Sequence, residues 1–184
     1  RRRSSQQGGK VFSFHQKVFQ KVFLFHIDHR DKYEGGKRMN IQKFTQKSVE
    51  AINDCEKLAY EYGNQEIEQE HLLVALLRQE DGLIPKLIEK MEIQKEHFVD
   101  NAERHLAARV KVSGGQVYVG QDLNKVLVHA EDEAKAMGDE YVSVEHLFLC
   151  LIKYPNKAMK EIIKEYGITR ERFLQALSTV RGNQ

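Results

Sequence analysis

The sequence predicts an all-α fold built from two pseudo-symmetric four-helix repeats that form one eight-helix bundle. Three observations carry this expectation. The chain repeats itself at an offset of 75 residues. Its apolar residues recur at helical spacing, and only Val110–Val119 shows β-branched alternation. Its composition is 41% apolar and 30% charged, with 2 Pro and no Trp, which suits a helical protein with a sizeable core.

The repeat is gapless. Under the offset, Ala59 meets Ala134, Gly63 meets Gly138, and Ile67 meets Val142. Glu70-His71-Leu72 meets Glu145-His146-Leu147, and Leu76 meets Leu151. Ile88 meets Ile163, Ile93 meets Ile168, and Phe98 meets Phe173. Unrelated helices do not keep register over such a length, so each repeat reads as one supersecondary unit stacked on the other.

Before the repeats lies a leader, residues 1–38. It holds ten Lys/Arg against three Asp/Glu, whereas residues 39–184 hold nineteen against twenty-four. The net charge of +2 therefore hides a basic leader and a mildly acidic remainder. An acidic domain gains little from neutralising phosphates, which argues against nucleic acid as a partner. Polar residues such as Gln16, Lys17, Gln20 and Lys21 interrupt the leader's apolar stretch, unlike a signal peptide. Glu34–Met39 can be encoded by a purine-rich tract followed by ATG. The leader thus reads as non-native or disordered, with Met39 as the natural start; the alternative is a basic arm for an acidic partner. His15, His26 and His29 match no standard metal spacing, and no metal site is expected.

Within the first repeat, Thr45 is placed to cap the opening helix. Ile52, Cys55, Ala59 and Tyr62 share one face, and Gly63 supplies the left-handed stop. Leu123, Leu127, Ala130, Ala134 and Met137 repeat the pattern up to Gly138. The second helices, Glu70–Arg78 and Glu145–Lys153, are apolar nearly all round, as central helices are. Third helices cover Leu83–Met91 and Asn156–Tyr166. Fourth helices begin near Gln94 and after Thr169, anchored by Phe98 and Phe173. Repeat one is 44–107, a linker with Ser113-Gly114-Gly115 is 108–118, and repeat two is 119–181. Cys55 and Cys150 lie on apolar stripes without CxxC spacing and point to buried thiols in a reducing cytoplasm. No apolar run reaches membrane-spanning length.

These residues resemble a known family. Phe44-Thr45, Gly63-Asn64-Gln65-Glu66-Ile67 and Glu70-His71-Leu72-Leu73 are similar to the Clp amino-terminal repeat. So are Gln116-Val117-Tyr118 and Asp139-Glu140-Tyr141-Val142-Ser143-Val144-Glu145-His146-Leu147. Gln79-Glu80-Asp81-Gly82-Leu83-Ile84-Pro85 and the closing Val180-Arg181-Gly182-Asn183-Gln184 resemble the ClpB-type disaggregase, with 182–184 as the start of a linker to an ATPase domain. The resemblance implies a bacterial, cytoplasmic, client-recognising module. It would bind exposed apolar segments of unfolded or aggregated proteins. It would pass them to a hexameric AAA+ ring, with a DnaK-type chaperone as collaborator. The isolated domain is expected to be a monomer. ATP and magnesium belong to the ATPase domains, and this chain is expected to need no cofactor. It has no G-x-x-x-x-G-K-[ST] loop, and no nucleophile–base constellation supports an enzyme.

By resemblance, the client groove falls on Thr45, Asp139 and Glu145 at its rim and Leu127 on its floor. Each also has a plainer reading: Thr45 as a helix cap, the two acids as first-turn residues favoured by the helix dipole, Leu127 as core. The protease-linked relatives imply an alternative, an adaptor-docking or phosphoarginine-reading domain in which Glu70 and Glu145 hold a guanidinium. The Gly-Thr those relatives carry before each Glu is replaced here by Glu68-Gln69 and Ser143-Val144. His71 and His146 read as packed helix residues.

Overall fold

A computed structural model describes residues 39–182, so the leader 1–38 and Asn183-Gln184 lie outside the described residues. A 3-10 turn at Ile41–Lys43 leads into eight α-helices. These are α1 (Gln46–Tyr62), α2 (Gln69–Leu77), α3 (Leu83–Lys90) and α4 (Lys95–Ala107) in the first repeat. The second has α5 (Gln121–Ala136), α6 (Val144–Lys153), α7 (Lys157–Tyr166) and α8 (Arg170–Arg181). Helix for helix, the bounds agree with the 75-residue offset to within a residue or so.

The helices start and stop where side chains serve the free backbone groups of their end turns. Thr45 accepts from the Ser48 N–H at 3.3 Å, Asn156 from Met159 at 3.0 Å, and Thr169 from Arg172 at 3.1 Å. Gly63 and Gly138 take φ of 70° and 72° just after α1 and α5, where a side chain would be strained.

Helices α2 and α6 form the centre. Every residue of α2 is buried, as is every residue of α6 from Val144 to Leu151. The repeats meet through paired contacts that respect the pseudo-twofold: α1 on α6 and α5 on α2, α3 on α6 and α7 on α2. Phe98, Phe148 and Phe173 fill the interior, Phe148 stacking on Phe173 with ring centroids 4.7 Å apart.

One segment departs from the sequence reading. The end of the 108–118 linker is not free. Tyr118–Val119 forms a two-residue strand, β2, parallel to β1 (Glu66–Ile67), with Glu66 opposite Tyr118 and Ile67 opposite Val119. Its symmetry mate is the bridge between Phe44 and Val142. Each repeat is therefore strapped by the backbone that leads into the other repeat's first helix. Two-residue pairings leave too short an alternation to stand out as strands.

Candidate functional site

The repeated Glu-His motif sits at the start of α2 and α6. His71 Nδ1 accepts the Glu68 N–H at 2.9 Å, and His146 Nδ1 accepts the Ser143 N–H at 2.8 Å. Each imidazole thus does the capping-box work usually given to Glu or Gln at that position. With Nδ1 accepting, the proton sits on Nε2. That Nε2–H donates to Asn64 Oδ1 at 2.9 Å in repeat one and to Asp139 Oδ2 at 2.7 Å in repeat two. Burial, with the Arg109 charge nearby, lowers the His71 imidazole to about 4, so it stays neutral. The histidines are packed, as the sequence indicated, but they also fix the loops that carry the acids.

In repeat two the strap brings three of the predicted residues together. Val142 N–H donates to Lys43 O at 2.8 Å, and Thr45 N–H donates to Val142 O at 2.9 Å. Ser48 Oγ donates to the same carbonyl at 2.9 Å. Thr45 is thereby held beside the loop running from Asp139 to Glu145. Asp139 Oδ2 accepts from His146 and, at 3.0 Å, from Arg181 Nη2. Burial opposes it, yet these hydrogen bonds and the guanidinium charge hold its carboxyl below the usual range. Glu145 is only 5% exposed. Its Oε2 lies 3.7 Å from Arg181 Nη2, and its Oε1 has no hydrogen-bond partner among the described residues. Tyr141, on the same loop, is 50% exposed.

Leu127 does not join them. It is 1% exposed and belongs to the core of α5. Its plainer reading describes it here: helical spacing places Leu127 on the buried stripe with Leu123, Ala130 and Ala134. Sequence reasoning missed Tyr141 and Arg181. An exposed aromatic in a short strap has no periodic signature, and Arg181, although inside the closing segment that carries part of the resemblance, shows no sign in the sequence of its long-range contact with Asp139.

The matching place in repeat one is filled. Glu70, 3% exposed, accepts from Arg109 Nη1 at 2.6 Å and from Asn156 Nδ2 at 2.5 Å, so both its oxygens are satisfied. Glu68 accepts the N–H groups of Gln69, Asp122 and Leu123 at 3.0, 3.2 and 3.1 Å, and so caps both α2 and α5. Gln69 Nε2 donates to Asp122 O and Tyr154 O at 3.0 and 2.7 Å. The recess that remains, about 460 Å³, lies among Glu66, Glu68, Arg109, Asp122 and Glu161.

Among the described residues no group of three or more His, Cys, Asp or Glu could hold a metal ion, and no helix is long and apolar enough to cross a membrane. The Cys55 and Cys150 thiols are buried, and burial pushes Cys150 up to about 12, far from a reactive thiolate.

Comparison with known proteins bears on the same residues. The family described as the Clp repeat N-terminal domain matches residues 43–166. A chaperone protein ClpB of Nitratidesulfovibrio vulgaris is 44% identical over 152 residues, a match that covers 79% of this chain and 18% of that protein. The crystal structure of the Hsp104 N-terminal domain from Candida albicans superposes with a TM-score of 0.67 at 22% identity, covering 77% of this chain and 93% of that one. A ClpV N-domain, solved in complex with a VipB peptide, superposes with a TM-score of 0.61 at 17% identity, covering 75% and 86%.

Proposed function

Because the chain belongs to the Clp repeat N-terminal domain family and is homologous to the N-terminal region of ClpB chaperones, we propose that it recognises clients for a ClpB-type disaggregase. In this reading it binds exposed apolar segments of unfolded or aggregated proteins. It hands them to a hexameric AAA+ motor supplied by the rest of a longer parent protein, with a DnaK-type chaperone acting through that parent. The chemistry of ATP and magnesium lies in the motor. The bacterial cytoplasm is the compartment this implies.

The observation that carries the reading is the unequal filling of the two motif sites. Glu70 is saturated by its own chain, whereas Glu145, on the loop that also carries Asp139 and the half-exposed Tyr141, keeps one buried oxygen without a hydrogen-bond partner among the described residues. An aromatic surface beside hydrogen-bonding groups suits an extended apolar chain that offers backbone amides. Weak single-site affinity would be offset by several tethered copies on a ring. Titrating the chain with a permanently unfolded, reduced and alkylated protein tests this by amide chemical shifts. The expected shifts cluster on Thr45, Asp139, Tyr141 and Glu145. Shifts confined to other faces, or none at millimolar client, would refute it.

The guanidinium-reading alternative has one observation in its favour: each motif glutamate already faces an arginine of this chain, Arg109 at Glu70 and Arg181 at Glu145. With Glu70 filled, that reading rests on Glu145. It expects a phosphoarginine peptide to bind and the binding to vanish in Glu145→Ala. An unmodified apolar peptide competing equally well would set it aside.

A further inference from the structure

Two arginines approach the two motif glutamates, yet they are not symmetry mates. The offset pairs Arg181 with Leu106, and Arg109 with Gln184. The repeats thus reached the same contact from different positions, each near the end of its fourth helix. Both motif glutamates, buried as they are, lie against an arginine of the chain.

The two contacts differ in quality. Arg109 sits 2.6 Å from Glu70, and Asn156 takes the other oxygen. Arg181 divides one Nη2 between Asp139 at 3.0 Å and Glu145 at 3.7 Å, leaving Glu145 Oε1 without a partner. Arg181 is also the last residue of α8, and the end turn is closed by the Gly182 N–H to Ser178 O. Helix ends open far more readily than the elements they cap. By contrast, the segment after Arg109 is pinned: Asn64 Nδ2 holds Val110 O, Gly63 O holds the Val112 N–H, and β2 follows.

We propose that Arg181 is an intramolecular ligand of the Asp139–Glu145 carboxylates, one that a cationic side chain of an incoming polypeptide displaces. This rests on the client-site reading above and adds its regulation. With Arg181 in place the two carboxylates face one guanidinium and the His146 Nε2–H. With Arg181 withdrawn, Asp139, whose side chain is 29% exposed, and the more buried Glu145 lose the one guanidinium that faces them. Occupancy and the last turn of α8 are then linked. A client's lysine or arginine in the place of Arg181 releases the turn, and anything that holds the turn closed weakens the client by the same factor.

The test uses Arg181→Gln and Arg181→Lys in the full 184-residue chain, with N-acetyl-arginine amide and the unfolded protein as separate probes. Arg181→Gln should bind the arginine amide about fivefold tighter than wild type, the equivalent of one partly exposed ion pair. Arg181→Lys, which keeps a cation, should stay near wild type. In the wild-type chain, saturation should move the Ser178 and Gly182 amide signals. Equal or weaker binding by Arg181→Gln, or unmoved α8 signals at saturation, overturns the proposal. The two readings fail separately. Unfolded protein that binds both chains equally, with no gain for the arginine amide, removes the self-ligand and leaves the client site. A gain for the arginine amide with no binding of unfolded protein does the reverse.

Discussion

The second helices of the two repeats carry the same Glu-His pair, but the two residues in front of it are Glu68-Gln69 in one and Ser143-Val144 in the other. That difference decides how each repeat meets its neighbour. Glu68 and Gln69 are long and polar. They cross the junction to the Asp122 and Leu123 N–H groups and to the Asp122 and Tyr154 carbonyls. Gln69 also accepts from Asn156 N–H, which orients the side chain that saturates Glu70. Ser143 and Val144 reach nothing comparable, and Thr45 has to cap its own helix. One side of the pseudo-twofold is therefore welded by a set of side-chain hydrogen bonds, while its mate has the strap, the Ser48 Oγ bond to Val142 O and helix packing. A repeat protein can keep one fold in both halves and still join them differently on its two sides, by changing two residues in a helix cap.

The strongest way to break the comparison is to put the open side's strap residue on the welded side. The offset pairs Thr45 with Gly120. A Cβ at Gly120 would meet Glu68 Oε1 and also fall 2.6 Å from Glu66 Oε1, so Glu68 would have to withdraw from both helix ends. Gly120→Thr should cost about 3 kcal/mol or more in urea unfolding, the sum of two lost caps and a steric shift. Gly120→Thr combined with Glu68→Ser copies the repeat-two pair and should recover part of that loss. An additive double variant would show that the close approach is not what couples the two positions.

Next in size is the motif glutamate itself. Glu70→Ala leaves the Arg109 guanidinium and the Asn156 amide without their shared acceptor, and should destabilise the fold by about 3 kcal/mol. Glu145→Ala removes a carboxylate with one oxygen already unpartnered, and should cost less than about 1 kcal/mol. Equal losses on denaturant unfolding would mean that the two sites are equally integrated.

Much of this was legible in the sequence, for physical reasons that differ by element. The eight helices were readable because α1 and α5 show one-sided periodicity and end in Gly63 and Gly138, signals that depend on local chemistry alone. Thr45, Asp139 and Glu145 were grouped by the resemblance alone, because the Thr45–Val142 pairing that holds Thr45 beside the 139–145 loop is long-range. The straps were not readable, since Phe44–Val142 and Tyr118–Glu66 are long-range pairings only one or two residues long. The burial of Leu127 was open, because an apolar stripe does not say which of its members border a groove. Glu68-Gln69 stood out as a departure from the relatives' motif, but its meaning lay in residues more than fifty positions away.

A smaller asymmetry lies on α1 and α5. Glu56 is buried, and burial raises its carboxyl to about 7. Its counterpart Glu131 is partly exposed and lies 4.0 Å from Lys135. The folded-state value of Glu56 is above its unfolded one, so its contribution is intact below about 4.5 and is lost as pH rises through about 7. Glu56→Gln should therefore stabilise the chain by about 1 kcal/mol at pH 8 and have little effect at pH 4, whereas Glu131→Gln should stay within about 0.5 kcal/mol throughout. Thermal unfolding at the two pH values checks this, and a Glu56→Gln gain that does not grow with pH would point to packing rather than ionisation.

The least effect is expected at the ends of α3 and α7. Glu92 takes φ of 60° where its counterpart Gly167 takes 61°, so the same left-handed step is strained in one repeat and free in the other. The ends are also joined: Arg172 donates to Tyr166 O at 2.7 Å, to Gly167 O at 3.1 Å, and to Met91 O across the pseudo-twofold. Glu92→Gly relieves a left-handed side chain but frees the unfolded chain, and the balance should be a gain of about 0.5 kcal/mol. Gly167→Glu should destabilise the fold by about as much, because any side chain there takes on the left-handed strain, while the added Cβ would meet Arg172 Nη1 only in ordinary contact at 3.5 Å. If Arg172 holds both ends in one geometry, Glu92→Gly should lose its advantage in an Arg172→Gln background, where Met91 and Glu92 can relax by themselves. A gain that survives unchanged there would mean that the two helix ends are independent, and that the symmetry of the repeats stops at their cores.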